Sequence, residues 1–585
     1  MLSVATLKTT PITVEWLTSR TFTFRAEPTG VTISEKFTFH RNGFIVGCSH
    51  PNESFWDTDG QHVRILDQNG MATCELELKP LGNDQIQLAG FFRSPRADYE
   101  LTEITHILEE NGSDYHAQIQ SFDLFDTLVA RRHPDPLEVF RAVEARSGVA
   151  GFAARRHTVE MGIFGRRTYG LQDIYDLLVE EAFLTARQAK VLQTMELEEE
   201  WNTLFPIGEI VARVNPDDII ISDMYLPRPF VERVLREKCG LDNKLYLSNY
   251  GKHQRLIWPS IIETYKLRTH FGDNLHADVV GASTFGIQPT FVSISKWDRT
   301  EEILHATGLS AYAHAIRETR LKTFHRNPKI LNALKAQVSI NIPLMILGAF
   351  WVKLCADHFS ADKILTASRD CNLWDRLLSS KHFARCGMPT TEYIQISRAL
   401  CYEASEEYEA YFRTRLGGRN LLVDVVGTGK SLAHFVENLN LQDRVRPCIL
   451  VADPYAVPEG AVIEALLQKN FPHYRIFLEG LNASLDGSAV TAIPESNGTR
   501  ILTQPNEFDA FMRSIIVELR STFEQFLPRL DSFAPPKELP SLAALQAAAD
   551  EIIEMIPAQG MKLATLYYQQ GNNLARGNVN NVVVA

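Results

Sequence analysis

Over residues 1–112 apolar and polar positions alternate in short runs: TFTFRA, GVTISEKFTF, GFIVGC, HVRILD and CELELK. A period of two puts one face of each run in a core and the other in water. Turn signals at Glu27-Pro28-Thr29-Gly30, Arg41-Asn42-Gly43 and Gln68-Asn69-Gly70 separate the runs. The pattern predicts an N-terminal antiparallel β-sandwich. Within it, Asn52-Glu53-Ser54-Phe55-Trp56 with Gly60 suits either a turn beside a core tryptophan or a carbohydrate-facing surface.

Near residue 115 the pattern changes. IQSFDLFDTLV, DDIIISDMY, KLYLS and ADVVGAS are apolar runs ending at small or acidic residues, and they read as strands. Helical stretches (LEVFRAVEARSG, LQDIYDLLVEEAF, ARQAKVLQTMELEEEW) fill the interval between the first two. The result is a parallel sheet over 113–310 with a helical insertion at about 130–215. A second series, KILTAS, EYIQIS, NLLVDVV and RPCILVAD, alternates with LWDRLLSSKHF, YEAYFRTRL and SLAHFVENL. It predicts a separate α/β domain over 311–535, and residues 536–585 read as a C-terminal helical tail.

Composition narrows the classes. The 585 residues are 45% hydrophobic and 22% charged, which excludes disorder, collagen and coiled coil. Lys plus Arg (59) against Asp plus Glu (71) leaves −12, a poor balance for general nucleic-acid binding. Eight cysteines without a Cys-x-x-Cys spacing argue against zinc or a disulfide framework and for a reducing compartment. The N-terminus has no basic stretch before a long apolar core, so no signal peptide is expected. The apolar run Ile342–Val352 spans only 11 residues, contains Pro343 and precedes Lys353, so it reads as a buried helix, not a transmembrane one. A cytoplasmic protein is expected.

The first chemical constellation lies at strand ends, where open parallel sheets build their sites. Asp123 closes Ser121-Phe122-Asp123-Leu124-Phe125-Asp126-Thr127-Leu128, Ser222 ends IIISDMYL, Lys252 follows KLYLSNYGK, and Asp273 and Asp278 lie in HFGDNLHAD. These groups suit phosphoryl transfer through an aspartyl phosphate. Asp123 attacks, Asp123, Asp273 and Asp278 hold Mg²⁺, and Ser222 and Lys252 donate to the phosphoryl oxygens. In this order the set resembles the haloacid dehalogenase-like (HAD) phosphohydrolase superfamily over about residues 115–300. That resemblance implies a Rossmann-like α/β domain with the insertion as its helical cap. Phe125 stands where family phosphatases carry a second Asp, the general acid and base; an aromatic there also resembles the dehalogenase branch. Asp126, Asp223 and His133 are the candidate replacements.

The second constellation is Leu421-Leu422-Val423-Asp424-Val425-Val426-Gly427-Thr428-Gly429-Lys430-Ser431, a buried strand, a small-residue loop and a helix start. Such a loop aims backbone N–H groups at an anion, and phosphate is the expected guest. A P-loop would need Gly where Asp424 stands. Asp424, Thr428, Gly429 and Ser431 instead resemble the acid and Thr-Gly loop of type I phosphoribosyltransferases, with Val423 in place of the first of two acids. The resemblance, over about 360–480, implies phosphoribosyl pyrophosphate (PRPP) as donor. It places Asp424 on the ribose hydroxyls, Gly427 to Ser431 with Lys430 around the 5-phosphate, and Arg369 and Asp370 in the pyrophosphate loop. Arg398 follows the next strand, and the polar segment 403–419 would be the mobile loop over the site.

Together the two modules look like bacterial bifunctional enzymes that install ribofuranose in polysaccharides. They imply 5-phosphoribosyl transfer to a glycan acceptor, then loss of the 5-phosphate, on an O-antigen or capsule chain. The acceptor would be lipid-linked, with peripheral association to a glycan assembly complex. Two alternatives remain at this level. One is a polynucleotide or small-molecule kinase–phosphatase, which also joins a β-module, a HAD phosphatase and a P-loop. The other is a non-catalytic glycan-binding scaffold with degenerate domains, which Phe125 and Val423 motivate.

Overall fold

The computed structural model describes residues 12–40, 43–48, 52–67, 70–81, 85–92, 104–110, 118–453, 462–469, 472–496, 498–506 and 508–556. The turn positions 41–42 and 68–69, the first 11 residues and the tail beyond 556 lie outside them. The chain divides into two compact units, 1–296 with 321–329, and 297–320 with 330–585. The division at 296 precedes the expected boundary at 310 because helices Arg299–Ala306 and Ser310–Lys322 contribute Ile303, Leu304, Tyr312 and Ile316 to the core of the second unit.

The first unit opens with eight antiparallel strands: β1 (Thr21–Glu27), β2 (Val31–Phe39), β3 (Ile45–Val46), β4 (Phe55–Thr58), β5 (His62–Leu66), β6 (Ala72–Leu81), β7 (Gln85–Phe91) and β8 (Thr105–Glu110). Their order is β3-β2-β1-β8-β7-β6-β5-β4. The ends of that order meet through a Phe44–Phe55 bridge, with Ile45 N–H donating to Ser54 O at 3.1 Å and Trp56 N–H to Gly43 O at 2.9 Å. Where a two-sheet sandwich was expected, one sheet closes on itself. The alternation is the same in either architecture, and only the β3–β4 contact distinguishes them. Phe22, Phe24, Phe37 and Phe39 point inward with ring centroids 5.0–5.6 Å apart. Trp56 belongs to this core, its Nε1–H donating to His40 O at 2.8 Å, so it faces no glycan.

The same unit then builds a five-stranded parallel sheet from β9 (Gln118–Phe122), β12 (Ile219–Asp223), β13 (Lys244–Ser248), β14 (Lys266–Gly272) and β15 (Gln288–Phe291), in the order β13-β12-β9-β14-β15. After β9 a short antiparallel pair, β10 (Val129–Arg131) and β11 (Leu204–Pro206), brackets the insertion. The insertion comprises helices Leu137–Ser147, Phe152–Ile163, Leu171–Glu180 and Ala186–Thr203. The run ADVVGAS, expected as a strand, is helical (275–284). Asn274 starts it by accepting the N–H groups of His276 and Ala277, and small residues let it pack close: a Cβ on Gly281 would sit 3.1 Å from Trp258 Nε1.

The second unit holds another five-stranded parallel sheet: β16 (Lys363–Ala367), β17 (Thr390–Ile394), β18 (Asn420–Gly427), β19 (Val445–Ala452) and β20 (Glu464–Gln468), in the order β17-β16-β18-β19-β20. A hairpin of β21 (Ser488–Glu495) and β22 (Gly498–Gln504) follows. The segment expected as a mobile loop at 403–419 contains helix Glu406–Arg413. Its Tyr408, Tyr411 and Phe412, spaced for one helix face, are buried with Phe435. Helix Leu542–Glu554, read as part of a tail, packs Leu545, Ala549 and Ile552 into the main core of this unit. The apolar run Ile342–Val352 lies in a longer helical segment, Pro328–Phe359, of 32 residues. By length and composition that segment suffices to cross a membrane, so the length argument made on the run does not apply to it, and 78% of its most apolar window is buried in the protein.

The insertion is organised around a charge. Arg156 donates to Glu196 at 2.7 and 3.0 Å and to Glu160 at 2.6 Å, and Tyr175 donates its hydroxyl to Glu196 at 2.8 Å. The Arg156 and Glu196 side chains are both 0% exposed. Removing one partner strands a buried charge, which costs about 3–5 kcal/mol. Glu196→Ala is therefore expected to lower the stability of the insertion to urea by that amount. Arg156→Met with Glu160→Gln and Glu196→Leu, which removes all three charges, should lose less than Glu196→Ala alone.

Candidate functional site

In the first unit the sheet reverses its direction of growth between β9 and β14, leaving a crevice beyond their C-terminal ends. Asp123 follows β9 and its N–H donates to Phe271 O on β14 at 2.8 Å. Asp273 follows β14, and Asp278 lies one helical turn further on. The carboxylate oxygens of Asp123, Asp273 and Asp278 lie within 4.8 Å of one another. Lys252, from the turn after β13, places Nζ against Asp123, 2.7 Å from Asp278 and 3.2 Å from Ile221 O. Gly272 leaves room for this convergence, since a Cβ there would be 2.2 Å from Asp278 Cγ.

A line of buried groups fixes Asp278. Asn274 N–H donates to its Oδ2 at 2.9 Å, and His270 Nε2 lies 3.1 Å from Oδ1. His270 Nδ1 is in turn 2.9 Å from Ser121 Oγ, and the Trp258 ring closes over the imidazole edge-on at 4.9 Å. Burial depresses the His270 pKa, and the hydrogen bond and charge of Asp278 oppose that fall.

The carboxylates are electrostatically unequal. Burial pushes Asp278 upward, but the Lys252 ammonium and the His270 hydrogen bond prevail and hold it well below the carboxylate range. Burial raises Asp123 strongly; Lys252 opposes that rise, while the Asp278 and Asp273 charges add to it. Burial, Asp126 and Asp278 together push Asp273 up to about 7. Burial alone would lower Lys252, but Asp123 and Asp278 raise it, so it is a permanent cation. One ammonium thus faces three carboxylates, and the donor set of hard oxygens fits a divalent cation such as Mg²⁺. Ser222, 1% exposed, carries a buried Oγ with no hydrogen-bond partner among the described residues.

Asp223 serves differently from the acid–base role considered for it. It accepts the N–H groups of Lys252 at 2.9 Å and His253 at 2.8 Å, together with the Ser248 hydroxyl, and so fixes the turn that presents Lys252. Phe125 is buried, its ring 5.1 Å from the guanidinium of Arg131, which Glu200 holds with two hydrogen bonds at 2.9 and 3.0 Å. Asp126 adopts φ +58°, a left-handed conformation that Asp tolerates, and its charge acts on both Asp273 and Arg131. His133 lines a cavity of about 250 Å³ with Arg131, Glu138 and Arg141. Among these residues, the charge of Asp126 reaches the carboxylate cluster.

In the second unit the sheet reverses between β16 and β18. Arg369 and Asp370 follow β16, while Asp424 and Gly427 lie on β18 and Thr428 to Lys430 follow it. Burial, Glu479 and Asp424 raise the Asp370 pKa, opposed by Arg369 and Arg475. Burial lifts Asp424 to about 7 against the pull of the Val425 N–H, with Glu479 adding and Arg475 opposing. Arg475 and Glu479, paired at 2.7 Å on helix Pro472–Leu481, complete this cluster and were not anticipated. Their i, i+4 spacing is that of any exposed helix pair, and nothing local distinguishes it. Arg369 donates to Asn506 Oδ1 at 2.6 Å, and Asn506 is held by Ser484 O at 3.0 Å and Asp486 O at 2.5 Å. Gly429, at φ +69°, precedes helix Lys430–Asn438, and a Cβ there would meet Ile463 Cδ1 at 2.7 Å. Thr428 Oγ1 accepts the Lys430 N–H at 3.2 Å. Gly427 and Ser431 are half-buried, Lys430 is exposed, and Arg398 is exposed at the start of helix Arg398–Tyr402.

No family model matches this chain, and no curated protein matches it significantly.

The raised Asp424 pKa has a stability consequence. Below its ordinary value, about 3.9, both folded and unfolded chains hold the proton. Between there and about 7 the unfolded chain releases it first, so the stabilising contribution is lost as pH rises, with nothing further to lose above 7. Asp424→Asn is expected to be more stable than the parent above pH 7, by on the order of 2 kcal/mol, with the gain fading toward pH 4. Urea midpoints of both proteins at pH 4 and pH 8 measure it; an equal gain at both would exclude a charge effect.

Proposed function

We propose that the first unit is a Mg²⁺-assisted HAD-type phosphomonoester hydrolase and the second a phosphoribosyl-donor site. Together they transfer 5-phosphoribosyl from PRPP to a sugar hydroxyl of a bacterial surface glycan and then remove the 5-phosphate. The observation that carries the reading is the convergence of Asp123, Asp273, Asp278 and the buried Lys252 at the point where the sheet reverses.

Asp123 is the nucleophile. Its carboxylate oxygen attacks phosphorus, the P–O bond to the sugar breaks, and water then cleaves the acyl phosphate to regenerate Asp123. Lys252 and the orphaned Ser222 hydroxyl donate to the phosphoryl oxygens, where charge develops. Asp123, Asp273 and Asp278 would hold the divalent cation, which when bound neutralises phosphate charge. The leaving alkoxide requires a proton, which Asp126, placed close enough to act on Asp273, would give from its protonated form.

In the second unit Arg369, braced by Asn506, would grip the pyrophosphate and Gly427 to Ser431 the 5-phosphate. The bond from ribose C1 to pyrophosphate breaks as the bond to the acceptor oxygen forms. Asp424 would accept hydrogen bonds from the ribose hydroxyls. Support for a kinase is weaker, because Asp424 occupies the place of the first P-loop glycine.

Two substitutions separate the sites. Asp123→Asn is expected to reduce p-nitrophenyl phosphate hydrolysis at least a thousandfold while PRPP binding, followed by calorimetry in Mg²⁺, persists. Asp424→Ala should abolish PRPP binding and leave hydrolysis within twofold. ATP binding without PRPP binding would overturn the donor assignment, and undiminished hydrolysis in Asp123→Asn would overturn the nucleophile.

A further inference from the structure

In the long helical segment of the second unit, every residue from Ile342 to Val352 is apolar and buried. Just before that run a π-helical turn, Gln337–Asn341, carries two amides into the same core: Gln337 is 0% exposed and Asn341 1%. Turns of this kind recur at functional sites. Asn is a weak helix former, and an amide buried without partners opposes folding. Here Asn341 is paired. Its Nδ2–H donates to Gln337 Oε1 at 2.9 Å and to Asn482 Oδ1 at 3.0 Å, and Asn482 Nδ2–H donates back to Asn341 Oδ1 at 2.8 Å.

Asn482, 0% exposed, opens the loop after helix Pro472–Leu481. Its carbonyl accepts from Asn372 Nδ2 at 2.6 Å, and the same Asn372 amide donates to Arg369 O at 2.9 Å. Further along the loop, Ser484 O and Asp486 O hold Asn506, whose Oδ1 accepts from the Arg369 guanidinium. The main chain and the side chain of Arg369 are therefore both supported from the segment 482–486. The reciprocal amide pair locks that segment to the core. Apolar contacts are non-directional, whereas paired amides accept one register, as a buried Asn does between coiled-coil helices. The same register sets Arg475 and Glu479 where their charges act on Asp370 and Asp424.

We propose that Asn341 and Asn482 are positioning residues of the second site: their amide pair fixes the segment from which Arg369 is aimed at the pyrophosphate of the donor. The proposal rests on the donor-site reading above, and both residues act through Arg369.

The test uses the full chain carrying Asp123→Asn, with PRPP binding followed by calorimetry in Mg²⁺ and the urea midpoint measured alongside. Asn341→Leu leaves the Asn482 amide without its partner, and is expected to lower the midpoint and weaken PRPP binding at least tenfold. Asn341→Leu with Asn482→Leu removes both amides and should regain stability, yet with no pair to set the register PRPP should still bind at least tenfold more weakly. In that double variant inorganic pyrophosphate is expected to compete with PRPP at least tenfold less well, while ribose 5-phosphate, which reads the loop Gly427 to Ser431, competes within twofold. Should Asn341→Leu fail to fold by circular dichroism, the double variant carries the same expectation. Unchanged PRPP binding, affinity that returns together with stability, or equal loss toward both competitors overturns the proposal and leaves the donor site standing. Absence of PRPP binding in the chain carrying Asp123→Asn alone overturns the donor site and the proposal with it.

Discussion

Lys252 is the constraint on which the first site depends. A single buried ammonium faces three carboxylates whose oxygens lie within 4.8 Å of each other, and it can fully compensate one of them. Asp278 takes that compensation, backed by His270 and Asn274, and is held ionised. Asp123 and Asp273 are left with raised pKa values and an unmet need for positive charge. An arrangement that only stabilised the fold would balance its charges, because an unbalanced buried carboxylate opposes folding. The imbalance suits a divalent cation, whose charge would relieve it.

Everything around that cluster serves to keep it in register. Asp223 ties down the turn carrying Lys252, and Gly272 lets Asp278 close on the strand end. The insertion is attached to the same loops: Leu171 N–H donates to Tyr225 O at 2.9 Å, just beyond Ser222, and Tyr169 N–H to Asn249 Oδ1 at 3.1 Å, just before Lys252. The Arg156 guanidinium, the centre of the buried network in the insertion, also lies 5.1 Å from the Tyr225 ring. The packing that holds the insertion together is thus continuous with the loops that present the donors.

Much of this was legible in the chain because parallel sheets leave a local signature. Continuous apolar runs such as Ile219–Ile221 announce buried strands, and a polar residue at the end of such a run announces a site. Asp123, Ser222, Lys252, Asp273 and Asp278 could be picked out that way, as could Arg369, Asp370 and Asp424. What the chain did not disclose was non-local. Closure of the β-sheet depends on one contact between Phe44 and Phe55, and alternation alone cannot distinguish a ring from two layers. ADVVGAS has strand-like composition, but its helix is started by Asn274 and fitted against Trp258. YEAYFRTRL reads both as a helix and as part of a mobile polar segment, and the burial of Tyr408, Tyr411 and Phe412 decides for the helix. Arg475, Glu479 and Asn506 reach the second cluster from elements distant in sequence, and no local motif marks them.

Phe125 shows how a departure from an expected motif can be absorbed structurally. An aspartate at that position would lie beside Arg131, whose guanidinium Glu200 already holds with two hydrogen bonds, so its proton affinity would be low just where a proton donor is wanted. The aromatic ring is instead buried, with that guanidinium 5.1 Å from its centroid. The next residue, Asp126, is turned by its positive φ, and its charge is felt at Asp273 in the cluster as well as at Arg131. A carboxyl group in electrostatic contact with other carboxylates is the kind of group that can pass a proton to a departing alkoxide. The ring at Phe125 and the left-handed turn at Asp126 are thus parts of one local arrangement around Arg131.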